Sequence, residues 1–259
     1  MAVHRADNAQ GKRLDAEAKR SPIRRYLTAD LRVDTFIEAQ LLLLTFSTGI
    51  QDSIAFPDFH CFASNQTGNS VILAVGAAGL AKKAFSLANV GISLGTFIAG
   101  AILTGQIAHL LGPRKRYWLI FNHLLQTLLV FAAAIIQAKT LHKGRGPYAA
   151  ASIAVLAFSS GAQVSSMRPM RIPEITTAMA TAAWVDFVID PRLIALGNHS
   201  RDRRAAFLIA LIGGSFVGAF MYKKAGSTDT LILSAAGKLL VTLSLLFNRE
   251  KRSRPSTDE

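Results

Sequence analysis

Three stretches of this chain contain no Asp, Glu, Lys or Arg: Ala84 to Pro113, Tyr117 to Ala138 and Gly146 to Met167. Each meets or exceeds the ~20 apolar residues an α-helix needs to cross a hydrocarbon core. A soluble domain can bury one such helix. Three, joined by short basic loops, leave too much apolar surface for water to tolerate. Only 17% of residues are charged, against about 25% in soluble domains. The sequence therefore predicts an all-α membrane protein of six to eight transmembrane helices, its main partner the lipid bilayer.

The net charge of +13 raises nucleic-acid binding, which the distribution of charge argues against. The basic residues fall in the tails and in clusters at the ends of apolar runs: Lys82-Lys83, Arg114-Lys115-Arg116, Arg168 with Arg171, and Arg201 to Arg204. In those places they fix orientation and meet anionic headgroups. No nucleic-acid partner is expected. The single cysteine, Cys61, allows neither an intramolecular disulfide nor a Cys-based metal cluster. Residues 1–33 lack the apolar core of a secretory signal and are expected to form a disordered, basic cytosolic tail, with residues 249–259 as a second. The membrane domain is expected over 34–248.

Apolar runs begin near Thr35, Phe59, Ala84, Tyr117, Tyr148, Ile175, Ala205 and Thr230. Those at about 59–81 and 175–188 are short of apolar residues or interrupted. The halves, about 34–138 and 147–248, resemble each other. Ser47-Thr48-Gly49-Ile50-Gln51-Asp52-Ser53 aligns with Ser159-Ser160-Gly161-Ala162-Gln163-Val164-Ser165. Asn65-Gln66-Thr67 falls opposite Met179-Ala180-Thr181, and Gly95-Thr96-Phe97-Ile98 opposite Gly214-Ser215-Phe216-Val217. An internal duplication is expected. If both interrupted segments cross, there are eight spans and parallel halves; if both are re-entrant, there are six and the halves are inverted. Positive charge in the internal loops divides almost evenly and does not choose between them, although either arrangement leaves the N-terminus cytosolic.

Polar residues within such segments are the candidate functional groups. Asp52, then Asn65, Gln66, Thr67, Gly68 and Asn69, would be costly in hydrocarbon without partners or water, and Gly68 permits a helix break. Broken helices expose backbone N–H and C=O groups that hold ions or substrates; the same residues could equally be caps at a membrane boundary. In the second half, Gln163, Thr177 and Thr181 occupy comparable positions. Asp186 and Lys238 are charges within apolar runs. Lys238 lies about 12 Å from either end of its run at 1.5 Å per residue, about twice what its stem can span, so it calls for a carboxylate, Asp186 or Asp52, or a wet cavity, unless the last helix is shallow or tilted and lets it reach an interface. His123 reads as a packed histidine.

The Gly-x-x-Asp of Gly49 to Asp52, the Asn65-Gln66-Thr67-Gly68-Asn69 motif and the Gly-x-Gln of the second half resemble the YoaK-like family of uncharacterised polytopic membrane proteins. The likeness spans roughly residues 35–247. Val164 and Ala182 depart from that family's second-half pattern, where Asn and Gly are usual. The resemblance implies a multi-span membrane domain and carries no activity. A small-solute transporter, taking an unknown solute or ion, is the function expected from the duplication. A non-transporting scaffold or partner subunit is the alternative. No catalytic residues, metal site or cofactor are expected, since His-Glu-x-x-His, Gly-x-Ser-x-Gly and P-loop patterns are missing. The small-residue faces around Gly91, Gly95 and Gly100, and around Gly213, Gly214 and Gly218, suit close helix packing and are compatible with a homo-oligomer.

Overall fold

The computed structural model describes residues 21–80, 85–139 and 146–251. Among them there is no β-strand, only helices and two isolated bridges. The helices are α1 (Pro22–Thr28), α2 (Thr35–Phe59), α3 (Gln66–Ala77), α4 (Leu87–Leu111), α5 (Arg116–Lys139), α6 (Pro147–Met167), α7 (Thr181–Val188) and α8 (His199–Ser244). Their limits follow from local chemistry. Asp34 caps α2 by accepting from the Phe36 and Ile37 amides, and Asn65, Ser86 and Asn198 cap α3, α4 and α8 in the same manner. Pro57 weakens the last turn of α2, and His60, in the left-handed region at φ 56°, ends it.

At 46 residues, α8 would be about 69 Å long if straight, more than twice the ~30 Å hydrocarbon thickness. It is not straight. Gly226 sits at φ 83° and ψ −176°, a region open essentially to glycine alone. The chain bends there into two arms, 199–225 and 227–244.

Two buried apolar clusters mark the ends of the bundle. The near-end cluster joins the start of α2 (Leu41, Leu44), the end of α4 (Ala108), the start of α5 (Leu119), Met170, and both outer ends of α8 (Phe207, Val241). The far-end cluster joins the end of α2 (Ile54, Phe59), the start of α4 (Val90), the end of α5 (Ala134), the start of α6 (Ile153), and Leu231 just past the bend. Hence α2 and α6 run antiparallel, and the two arms of α8 form a hairpin. The short helices lie at opposite ends: α3 with the far cluster through Ile72 and Leu73, α7 with the near one through Ala183.

Four helices are long and apolar enough to cross a membrane: Leu87–Leu111, Arg116–Lys139, Pro147–Met170 and His199–Phe247. That is fewer than the six to eight predicted, and three physical causes account for the difference. The runs at 59–81 and 175–188 yield helices of 12 and 8 residues, about 18 and 12 Å long, too short to cross. Two of the predicted runs are the arms of one bent helix. And α2, at 25 residues, is long enough but carries Gln40, Thr45, Ser47, Thr48, Gln51, Asp52 and Asp58 along its length.

Apolar side chains face outward along the long helices, for example Ile102, Leu128, Ile209 and Phe220, as a lipid environment requires. Segment 21–33, expected to be disordered, is ordered: α1 forms, and Leu31 is fully buried. The Leu31 amide donates to Arg114 O (3.0 Å) and the Arg32 amide to Arg249 O (2.9 Å), while Asp30 O accepts from the Lys251 amide (2.8 Å). Both ends of the described chain are thus stitched to the near end of the bundle. The remainder of the two predicted tails, 1–20 and 252–259, and Lys82-Lys83 lie outside the described residues.

Glycine permits two close helix crossings. A Cβ on Gly49 would lie 2.3 Å from Leu211 O, and one on Gly214 would lie 2.1 Å from Phe46 O; one on Gly161 would lie 2.1 Å from Phe97 O, and one on Gly100 would lie 2.4 Å from Phe158 O. Backbone meets backbone at both, where α2 packs on α8 and α4 on α6. Gly95, aligned in sequence with Gly214, has nothing within 4 Å of its would-be Cβ. Gly100 makes that contact instead.

Candidate functional site

The predicted site residues separate into three places. Asp52, Asn65, Gln66, Gly68 and Asn69 form the turn between α2 and α3 at the far end. Asp52 Oδ1 accepts from the amides of Ala63 and Ser64, each at 3.0 Å, and Oδ2 accepts from Ser64 Oγ. Asn69 Oδ1 accepts from the Phe62 amide at 2.9 Å, while its Nδ2 donates to Phe62 O and Gln66 Oε1, both at 2.8 Å. Gln66 Nε2 reaches Ala63 O, and the Ser93 hydroxyl of α4 donates to Phe62 O. A Cβ on Gly68 would crowd the Phe62 ring at 3.1 Å. The motif is a closed network that pins the chain where it leaves α2. Thr67 is exposed beside it.

At the near end, Thr177 is buried at φ 65° with its hydroxyl unpartnered, and Thr181 opens α7 on the surface. Asp186 is exposed and lies 3.8 Å from Arg204 Nε. Neither Asp52 nor Asp186 pairs with Lys238, and the two interrupted segments share no site, because the fold puts them at opposite ends.

Gln163 and Lys238 lie in the third place, the middle of the bundle. Polar side chains there recur at helical spacing on the inward faces of four helices: Thr48 and Gln51 on α2, Asn122, His123 and Gln126 on α5, Ser160 and Gln163 on α6, Ser234 and Lys238 on α8. All are buried. Gln51 Nε2 donates to Ser160 Oγ at 2.9 Å, and Gln163 Nε2 donates to Thr48 Oγ1 at 2.9 Å. These two bonds cross the antiparallel α2–α6 pair reciprocally. Lys238 Nζ donates to Gln163 Oε1, and among the described residues it makes no ion pair. Thr242 Oγ1 donates to Lys238 O at 2.9 Å and lies 3.3 Å from Thr127 Oγ1, which ties α8 to α5.

Among the described residues, many polar atoms in this seam have no hydrogen-bond partner: Gln51 Oε1, Asn122 Nδ2, both ring nitrogens of His123, and both amide atoms of Gln126. Native interiors leave few buried polar atoms unsatisfied, and each costs about 1–3 kcal/mol. Such a concentration in one place makes this seam the candidate site.

Toward the near end the seam narrows to a cavity of about 10 Å³ lined by Leu41, Leu44, Leu119, His123, Met167 and Leu245, among others, room for roughly one water. Beyond it, Gln40 Nε2 donates to Ser244 Oγ (2.7 Å) and Asn248 Oδ1 (2.8 Å), and Arg116 Nη2 donates to Asn248 O (2.5 Å). Arg116 is almost wholly buried, with its guanidinium carbon 3.7 Å from the centre of the Tyr26 ring. Toward the far end the seam is closed by packed Ile54, Val130, Ala134, Ile153 and Leu231. Past that plug, Asp58 accepts from Gln137 Nε2 (2.9 Å), Tyr222 OH (2.7 Å) and Ser227 Oγ, bracing the bend at Gly226.

Sequence reasoning missed Gln51, Asn122, Gln126 and Arg116 as site residues and set His123 aside. The signal was present: Arg116, Asn122, His123, Gln126 and Gln137 fall on one stripe of α5, the face an apolar transmembrane helix would be expected to bury least expensively with carbon.

No curated protein and no solved structure matches the chain. A family model described as a protein of unknown function, DUF1275, matches residues 40–244, from the start of the polar face of α2 to the last residue of α8; the match does not carry the YoaK-like name. The apolar helices are compatible with integral membrane localisation, and by the extent of that match the chain belongs to the DUF1275 family.

Proposed function

We propose that this protein is a membrane carrier for a small polar solute, built from two inverted halves and crossing the bilayer six times. The crossings are α2, α4, α5, α6 and the two arms of α8, with α3 and α7 re-entrant from opposite sides. Two features support inverted halves. The crossing of Phe46 and Gly49 against Leu211, Gly214 and Ser215 has a residue-for-residue counterpart in Phe158 and Gly161 against Phe97, Gly100 and Ala101. The Gln51–Ser160 and Gln163–Thr48 bonds exchange under the same twofold operation, about an axis in the membrane plane. Inverted repeats with polar groups at the midplane are a recurrent transporter plan. The near end carries Arg114-Lys115-Arg116, Arg201 to Arg204 and both ends of the described chain, which favours a cytosolic location for it.

The observation that carries the reading is the seam itself: fully buried amide and imidazole groups with unpartnered atoms, in the centre of a bundle whose outside is apolar. The occluding groups are a thin apolar neck on one side and a thicker packed plug on the other, as a carrier at rest between substrates requires. One observation favours the scaffold reading, namely that the Asn65 to Asn69 network is complete within itself.

Flux into proteoliposomes separates the two. Labelled solutes spanning neutral, cationic and anionic classes should include at least one that the wild type transports, and Gln51→Leu and Gln163→Leu should each slow it at least tenfold while remaining monodisperse in detergent. The carrier reading fails if the wild type transports nothing across that panel, or if both variants match it.

A further inference from the structure

Resting on the carrier reading, we propose that the seam selects a small anion, with Lys238 as its fixed positive charge and a run of arginines as its approach from the near end.

Among the described residues, the interior holds a lysine with no carboxylate paired to it. Lys238 is 1% exposed and its ammonium meets only a neutral amide oxygen, that of Gln163. The two acids of the bundle interior are occupied elsewhere: Asp52 by the Ala63 and Ser64 backbone, Asp58 by Tyr222, Gln137 and Ser227. His123, on the inward face of α5, is buried in the same seam. Among the described residues, the unpartnered atoms around them include the donors Asn122 Nδ2 and Gln126 Nε2 and the acceptors Gln51 Oε1 and Gln126 Oε1. A cation placed among these groups would be repelled in a medium that screens poorly. A neutral solute can accept a hydrogen bond from the ammonium but does not neutralise it. An anion meets a charge and several donors already in place, with no carboxylate to displace.

The approach has the same sign. Arg116, also 1% exposed, leaves Nε and Nη1 without hydrogen-bond partners among the described residues and lines the second of two clefts at the near end. These adjoining clefts, of about 770 and 700 Å³, share Arg32 and Arg249. Asp34 and Glu38 also line the first cleft and Glu250 the second; Asp34 caps α2, Glu38 is bound to Arg203 at 2.6 Å, and Glu250 is exposed next to Arg249 in the chain. Among the described residues Arg32 and Arg249 have no acidic partner. Basic groups that converge on a cleft raise the local concentration of anions and speed their capture. The cavity in the neck holds about one water, and compact anions are the first to test.

The test is counterflow uptake of labelled chloride and labelled formate, against labelled urea, glycerol and sodium. The full chain is reconstituted in phosphatidylcholine vesicles, which offer no anionic headgroup to the arginines. One of the two anions should enter at least tenfold faster than any of the other three solutes. Lys238→Gln should slow it at least tenfold, as should Gln163→Glu, which supplies the missing carboxylate, while Lys238→Arg keeps a measurable part. Arg32→Glu with Arg249→Glu alters only the exposed approach and should slow uptake severalfold, an effect that fades at high salt. This surface pair decides the matter if the interior variants do not fold. Uptake of urea, glycerol or sodium without either anion overturns the anion assignment and leaves the carrier standing. Anion uptake that is indifferent to all these substitutions overturns it too. No uptake of any solute overturns both.

Discussion

Alanine at Gly49 adds one methyl group, and the structure says where it would go. Its carbon would lie 2.3 Å from Leu211 O and 2.8 Å from Ser215 N, against 3.4–4 Å for ordinary contact. The obstacle is helix backbone, which cannot rotate aside. Relief requires α2 and α8 to part by roughly 1 Å, and a gap of that size forfeits up to about half the attraction between the atoms it separates. Overpacking of this kind costs about 1–3 kcal/mol, and a backbone obstacle places Gly49→Ala near the upper end. At roughly 2–4 °C per kcal/mol for a chain of this length, the melting temperature should fall by roughly 6–12 °C. Cys61 provides the assay: it is the sole cysteine and fully buried, so a thiol-reactive fluorophore reports unfolding in detergent. Gly214→Ala touches the same crossing, and the double variant should lose less than the sum of the two, because the first methyl opens the gap that the second uses. Gly91→Ala and Gly95→Ala meet nothing within 4 Å and should be neutral or add about 0.4–1 kcal/mol. A Gly49→Ala melting curve that overlays the Gly91→Ala curve would refute the crossing.

Two further outcomes follow from the site. Asp52→Asn replaces a carboxylate that accepts three hydrogen bonds with an amide that accepts fewer; at about 1.5–3 kcal/mol for a charge-assisted bond, it should lower the melting temperature measurably, with any loss of transport following the loss of folded protein and not exceeding it. Lys238→Met should do the reverse: it removes a buried charge with no ionic partner, at the cost of one donor to Gln163, and is expected to gain at least about 1 kcal/mol of stability while losing transport. A lower melting temperature for Lys238→Met would make the lysine structural glue.

Much of the bundle was legible in the sequence because its causes are local. Runs without charge gave the helices, Asp34 and Asn198 gave two of their starts, and the Asn65 to Asn69 motif marked where the backbone departs from helix. What was illegible depended on position in three dimensions. Gly226 lies in the polar break from Lys223 to Asp229 between two apolar runs, so a boundary was legible there, but not that helix continues on both sides of a single residue at φ 83°. Gly100 and Gly95 are equivalent as letters, and only the angle between α4 and α6 decides which one meets Phe158. Lys238 called for a carboxylate, and the fold supplied an amide from a helix remote in sequence.

The larger misreading has a general cause. Polar residues at a helix break were expected to form the site, because a break frees backbone groups that can hold a ligand. Those same freed groups satisfy the side chains first. The amides of Phe62, Ala63 and Ser64 belong to no helix, and Asp52 and Asn69 bind all three. On α5 and the second arm of α8 the central amides are already spent on the turn before, so Asn122, His123, Gln126 and Lys238 find nothing local to bind. In lipid, a polar group that the chain cannot satisfy by itself stays exposed to whatever else arrives. The chemistry of this family is accordingly to be sought where the helices run unbroken through the middle of the bundle, while the broken segments hold the ends in shape.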